Sequence, residues 1–142
     1  MRNRVLAAIA VLATLGFGET AVASDCETYF YNHNGSQMRA ERCLGELKIW
    51  YESPRSGIAN QGVGRGTLFF DGFISSDGSN EFIAGTARVF KRGCAPAEFP
   101  VEGMYGSGAG SSGGPIHLEG QAPVRKSGCT QSGWRREILD FN

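Results

Sequence analysis

"YFYNHNGSQMRA", residues 29–40, decides the fold. Asn34-Gly35 lies between two short runs of aromatic and apolar residues. A two-residue type I′ turn needs positive φ at both central positions, and Asn and Gly tolerate that best. With that turn in place, His33 faces Ser36, Tyr31 faces Met38, Tyr29 faces Ala40 and Glu27 faces Arg42. One step further out, Cys26 faces Cys43. The alternation makes this a non-hydrogen-bonded pair, with Cα atoms about 4.5 Å apart. A disulfide accepts about 4.4–6.8 Å. Four cysteines allow three pairings, and this register selects Cys26–Cys43. By subtraction, Cys94 pairs with Cys129. The same register places Tyr29, Tyr31, Met38 and Ala40 on a core face. Thr28, Phe30, Asn32, Gln37, Arg39 and Glu41 share a wetter face with both cysteines. His33, beside the turn, is expected in solvent.

Residues 1–24 read as a secretory signal. Arg2 and Arg4 are a positive start, Val5–Phe17 is an apolar stretch, and Ala21–Ser24 supplies small residues for cleavage. Residues 25–142 then form a single all-β domain. Export places four cysteines in an oxidising compartment, where two bridges are expected. Without Arg2, Arg4 and Glu19, the remainder carries 12 basic and 13 acidic residues. That balance argues against nucleic acid, which is bound through excess positive charge. It argues equally against a polybasic membrane surface, and no second apolar run follows to insert stably in a membrane. The expected location is periplasmic or secreted.

Strand signals recur downstream, separated by Gly, Pro, Ser, Asn or Asp. "LGELKIWYE" (44–52) alternates, with Leu47, Ile49 and Tyr51 on one side. "SPRSGIANQGVGRG" (53–66) reads as a long loop. "TLFFDGF" (67–73) reads as a strand turning near Asp71-Gly72, and Gly85 in "EFIAGTARVFK" (81–91) as a bulge. "EFPVEGMY" (98–105) is a short strand, "YGSGAGSSGGP" (105–115) a flexible connection, and "PIHLEGQA" (115–122) points Ile116 and Leu118 one way. "WRREILDF" (134–141) closes the chain, with Trp134 and Ile138, and Leu139 or Phe141, inward. The expected fold is all-β: a small antiparallel barrel or sandwich of about eight short strands with two disulfides. Most strands are shorter than the ~9–11 alternating residues of a membrane barrel.

No catalytic set stands out. His33 and His117 are the two histidines, and neither lies in a metal-ligand pattern. There is no Gly-x-Ser-x-Gly elbow, and the cysteines read as bridges rather than nucleophiles. The expectation is no enzyme, no cofactor and no metal. A small hydrolase with a carboxylate pair is the enzymatic alternative, and a structural or assembly protein of the envelope is another. Cations suit a binding surface better, since 11 of the 14 basic residues are Arg, whose planar fork matches carboxylates. Tyr51 and Arg55 sit where a strand runs into a long loop. Arg88, Lys91 and Arg92 cluster before Cys94, whose bridge would anchor them. These five are the candidate binding residues, for a protein partner.

The segments "YNHNGSQM", "IWYESPRSGI", "GVGRGTLFFDG", "GTARVFKRGC" and "IHLEGQAPV" resemble a group of small exported bacterial β proteins with no assigned function. The chain also resembles the periplasmic inhibitors of C-type lysozyme, which are small disulfide-bonded antiparallel β-barrels. Ala84-Gly85-Thr86-Ala87-Arg88-Val89-Phe90 is similar to their Ser-Gly-x-x-Tyr motif, with Ala84 in place of Ser and Val89 or Phe90 in place of Tyr. Lys91-Arg92-Gly93 is similar to their Thr-Lys-Gly motif. The resemblance implies a protein partner, lysozyme, whose acidic cleft receives cationic loops carrying Arg88 and Lys91.

Overall fold

The computed structural model describes residues 25–106 and 113–142. The signal segment, and residues 107–112 of the glycine-rich connection, lie outside the described residues. Among the described residues eight strands follow one another: β1 (Cys26–His33), β2 (Ser36–Cys43), β3 (Glu46–Ser53), β4 (Leu68–Ser76), β5 (Glu81–Val89), β6 (Ala97–Tyr105), β7 (Ile116–Arg125) and β8 (Gln131–Phe141). They form one antiparallel sheet in chain order, each strand pairing with its sequence neighbours.

The first hairpin has the expected register, from His33↔Ser36 at the turn out to Cys26↔Cys43. Asn34 and Gly35 carry φ of 50° and 83°, as a type I′ turn requires. Cys26–Cys43 and Cys94–Cys129 are both bridged, with Cα separations of 4.2 and 5.5 Å. The next connection repeats the device. Leu44 and Gly45 have φ of 50° and 86°, so β3 begins at Glu46 and Leu44 is a turn residue, 85 % exposed.

The inner face follows strand alternation. Met38, Ala40, Leu47, Ile49, Phe70, Ala87, Leu118 and Phe141 are fully buried. At its centre are rings from several strands. Phe69 lies 5.5 Å from Tyr51 and 5.9 Å from Phe141, and both contacts are edge-on. Such geometry is favoured by the ring quadrupole.

The sheet does not close into a barrel. Among the described residues the backbones of β1 and β8 pair at one point, where Asn32 and Asn142 exchange hydrogen bonds of 2.6 and 3.1 Å. The reason is stagger. With Asn32 opposite Asn142, the earlier residues of β8 lie beyond the Asn34-Gly35 turn, where β1 has ended. The sheet is therefore an open roll with its halves packed face to face, closer to a sandwich.

Other expectations are corrected. β4 passes straight through Asp71-Gly72, and Gly85 pairs in regular register with Gly72 rather than forming a bulge. Both glycines are needed for close approach. A Cβ on Gly72 would overlap the Ala84 carbonyl oxygen, and one on Gly85 the Asp71 carbonyl oxygen. On β8 the odd positions face inward. Leu139 and Phe141 are buried, while Trp134 and Ile138 are 58 % and 44 % exposed. The segment between β3 and β4 holds one helical turn, α1 (Ser56–Ala59). His33 is buried, not solvated, because its position alternates with Tyr31 onto the inner face.

Candidate functional site

Where β8 runs past the turn after β1, the roll is open at one side and encloses a cavity of about 190 Å³. The turn contributes His33 and Asn34, the end of β3 contributes Tyr51, and the following loop contributes Arg55 and Ile58. Phe69, Phe90 and Phe99 form apolar wall, and β8 supplies Arg135, Glu137 and Leu139. The loop is held to the hairpin by its backbone. Arg55 N–H donates to the Ser36 hydroxyl at 3.0 Å, and the Arg55 carbonyl accepts from Ala59 N–H at 2.9 Å, starting α1.

His33 is held by two aromatic rings and at one nitrogen. Its ring stacks on Phe141 at 4.7 Å and lies 5.3 Å from Phe69. Nδ1 is 2.8 Å from the Asp140 carbonyl oxygen. A carbonyl only accepts, so Nδ1 carries the hydrogen. Nε2 is left as an acceptor, 3.4 Å from the Asn34 amide nitrogen. Burial holds the His33 pKa below its ordinary value, outweighing the Asp140 carbonyl, which acts in the opposite direction. Tyr51 is buried, and burial pushes its phenol up to about 12, so it is a neutral hydrogen-bond donor. Its hydroxyl makes no hydrogen bond among the described residues.

The structure brings three of the five candidate residues, Tyr51, Arg55 and Arg88, to this cavity. The four cationic candidates differ in what they hold. Arg88 lies between Asp71 at 2.6 Å and Glu98 at 2.9 Å, with its side chain 13 % exposed. Lys91 lies beyond the cavity and donates to the Gly128 carbonyl at 3.0 Å and to the Lys126 carbonyl, across the Cys94–Cys129 corner. Arg92 donates through Nε to the Asn60 carbonyl at 2.7 Å. Arg55 is exposed and has no ion pair among the described residues.

Sequence reasoning missed the β8 contribution. Arg135 lies along the same inward parity as Leu139, with Nε 3.0 Å from Glu137 Oε2. Its legible signal was the odd-position alignment with Phe141. His117 is on the outer surface, with Nδ1 2.5 Å from Asp140 Oδ1. Among the described residues, no group of three or more His, Cys, Asp and Glu side chains is arranged to hold a metal ion, and no helix is long and apolar enough to cross a membrane. Comparison with protein-family models, curated proteins and solved structures finds no match for this chain.

Proposed function

We propose that the chain is an exported, periplasmic or secreted, non-catalytic binding module that receives an acidic group from a protein partner at Arg55. The observation carrying this reading is the contrast among its cations. Arg88, Lys91 and Arg92 are engaged within the fold, whereas Arg55 is exposed, has no ion pair among the described residues and lies beside a neutral phenol. A guanidinium in that state forms a two-pronged contact with a carboxylate. Two disulfides in so small a domain support an oxidising location. The sequence resemblance to inhibitors of C-type lysozyme names the partner, an enzyme with a carboxylate-lined cleft.

The test is clearing of a cell-wall suspension by C-type lysozyme in the presence of the oxidised protein. Dose-dependent inhibition is expected, weakened about tenfold or more by Arg55→Ala, a loss of ~1.4 kcal/mol or more. Arg92→Ala should matter less. Undiminished clearing at large molar excess rejects the reading.

A further inference from the structure

We propose that the cavity behind Arg55 is a binding site for a small monocarboxylic acid with an apolar body and a hydroxyl group. This goes beyond a protein partner. It stands on where unused polar capacity converges with apolar wall.

Three groups in the cavity have bonding capacity to spare. The Arg55 guanidinium has no carboxylate partner among the described residues, the Tyr51 hydroxyl has no hydrogen-bond partner there, and His33 Nε2 has only the long 3.4 Å approach of the Asn34 amide. Polar groups on buried residues are normally satisfied, and unspent ones facing a cavity mark where a ligand's polar atoms go. Arg135 is already shared with Glu137 at 3.0 Å, so one guanidinium of the cavity, that of Arg55, is available in full among the described residues. One free cation suits one negative charge, and a phosphate or dicarboxylate would leave charge unmatched beside Glu137. Between these groups lie Phe69, Phe90 and Phe99, a wall for an aromatic or aliphatic body. In this arrangement the carboxylate accepts from Arg55. The ligand hydroxyl donates to His33 Nε2 and accepts from the Tyr51 hydroxyl. The volume of about 190 Å³ restricts the occupant to a small molecule. The missing pairing between β8 and the hairpin leaves the mouth open, flanked by exposed Asn34, Arg55 and Arg135.

The test is titration of the oxidised protein with benzoate, hexanoate and 4-hydroxyphenylacetate. It is followed by methyl NMR shifts of Ile58 and Leu139 and by calorimetry. Saturable one-to-one binding is expected, tightest for 4-hydroxyphenylacetate and at least about tenfold weaker for its neutral amide. Arg55→Gln and Tyr51→Phe should each weaken it about tenfold while leaving the circular dichroism spectrum unchanged. Arg65→Gln, which removes a cation paired with Glu52 away from the cavity, should leave binding unchanged. Absence of any shift for all three acids up to about 10 mM, or equal affinity for acid and amide, overturns the proposal. The lysozyme assay reads capture of a macromolecule at the same guanidinium, without the cavity behind it. Its failure with successful titration removes the protein partner alone, and the reverse removes the small-molecule site alone.

Discussion

Replacing His33 by Phe and following stability from about pH 7.5 to 5.5 tests the packing of the cavity floor. At the upper end the imidazole is neutral. A phenyl ring keeps the stack on Phe141 and Phe69, at 4.7 and 5.3 Å in the native protein. It leaves the Asp140 carbonyl without its 2.8 Å donor, at a cost of about 1–2 kcal/mol. Acidification then acts on one protein and not the other. Burial depresses the His33 pKa in the folded state below the unfolded value of 6.5. Between the two values the unfolded chain holds a proton that the native ring excludes. The stability from His33 is therefore complete above about 6.5 and is lost as pH falls, at up to ~1.4 kcal/mol per pH unit. The variant has no such loss, so the gap between the proteins narrows by up to about 1 kcal/mol from pH 6.5 to 5.5. In a domain of this size that is a shift of roughly 3–5 °C in the difference between melting temperatures. Glu81 and Glu119, held below the usual carboxylate range by Arg42 and Arg136, titrate beneath this window. Thermal melts by circular dichroism at three pH values suffice. A gap that stays constant or widens on acidification refutes the buried neutral imidazole.

Two further predictions concern backbone and bridges. Gly72→Ala should destabilise by about 2–3 kcal/mol, because its Cβ meets the Ala84 carbonyl. Gly64→Ala, whose Cβ meets nothing within 4 Å, should stabilise by about 0.4–1 kcal/mol. Urea denaturation checks both, and equal signs contradict the close β4–β5 approach. Replacing each cysteine pair by Ala should cost about 4 kcal/mol for Cys94–Cys129 and about 3 for Cys26–Cys43, following sequence separations of 35 and 17. The reverse ranking in the same assay contradicts loop closure as the main source of their stabilisation.

The hairpin was legible because its turn chemistry and its alternation are local properties. Asn34-Gly35 dictates the register, the register aligns Cys26 with Cys43, and the second bridge follows. Leu47, Ile49 and Tyr51 were legible for the same reason, since polar residues separate them. β8 was not. Trp134 and Ile138 are more apolar than Arg135 and Glu137, yet the latter face inward, because the cavity at that end tolerates charge and the deeper positions Leu139 and Phe141 set the parity. Gly72 and Gly85 carry the composition of a turn and a bulge, and their role depends on a partner strand that no local window shows. His33 was misplaced for a similar reason, as the acceptor for its ring N–H is a carbonyl 107 positions away. The candidate site was half legible. Tyr51 and Arg55 lie at a strand end with loop chemistry beside it, while the occupied state of Arg88, Lys91 and Arg92 depends on groups elsewhere in the fold.

The chain-order pairing of the strands has a consequence for how the molecule assembles. Each new strand docks on the one just made, so closing entropy is met in short instalments rather than one long loop. A polypeptide emerging amino end first can zip up progressively, and its first thiol pair is aligned as soon as two strands exist. The clasp of Asn32 with Asn142 is the latest event in that sequence and joins the extremes of the roll. Amide exchange should find it the first contact to loosen, with the mouth of the cavity widening beside it while the central strands stay shut.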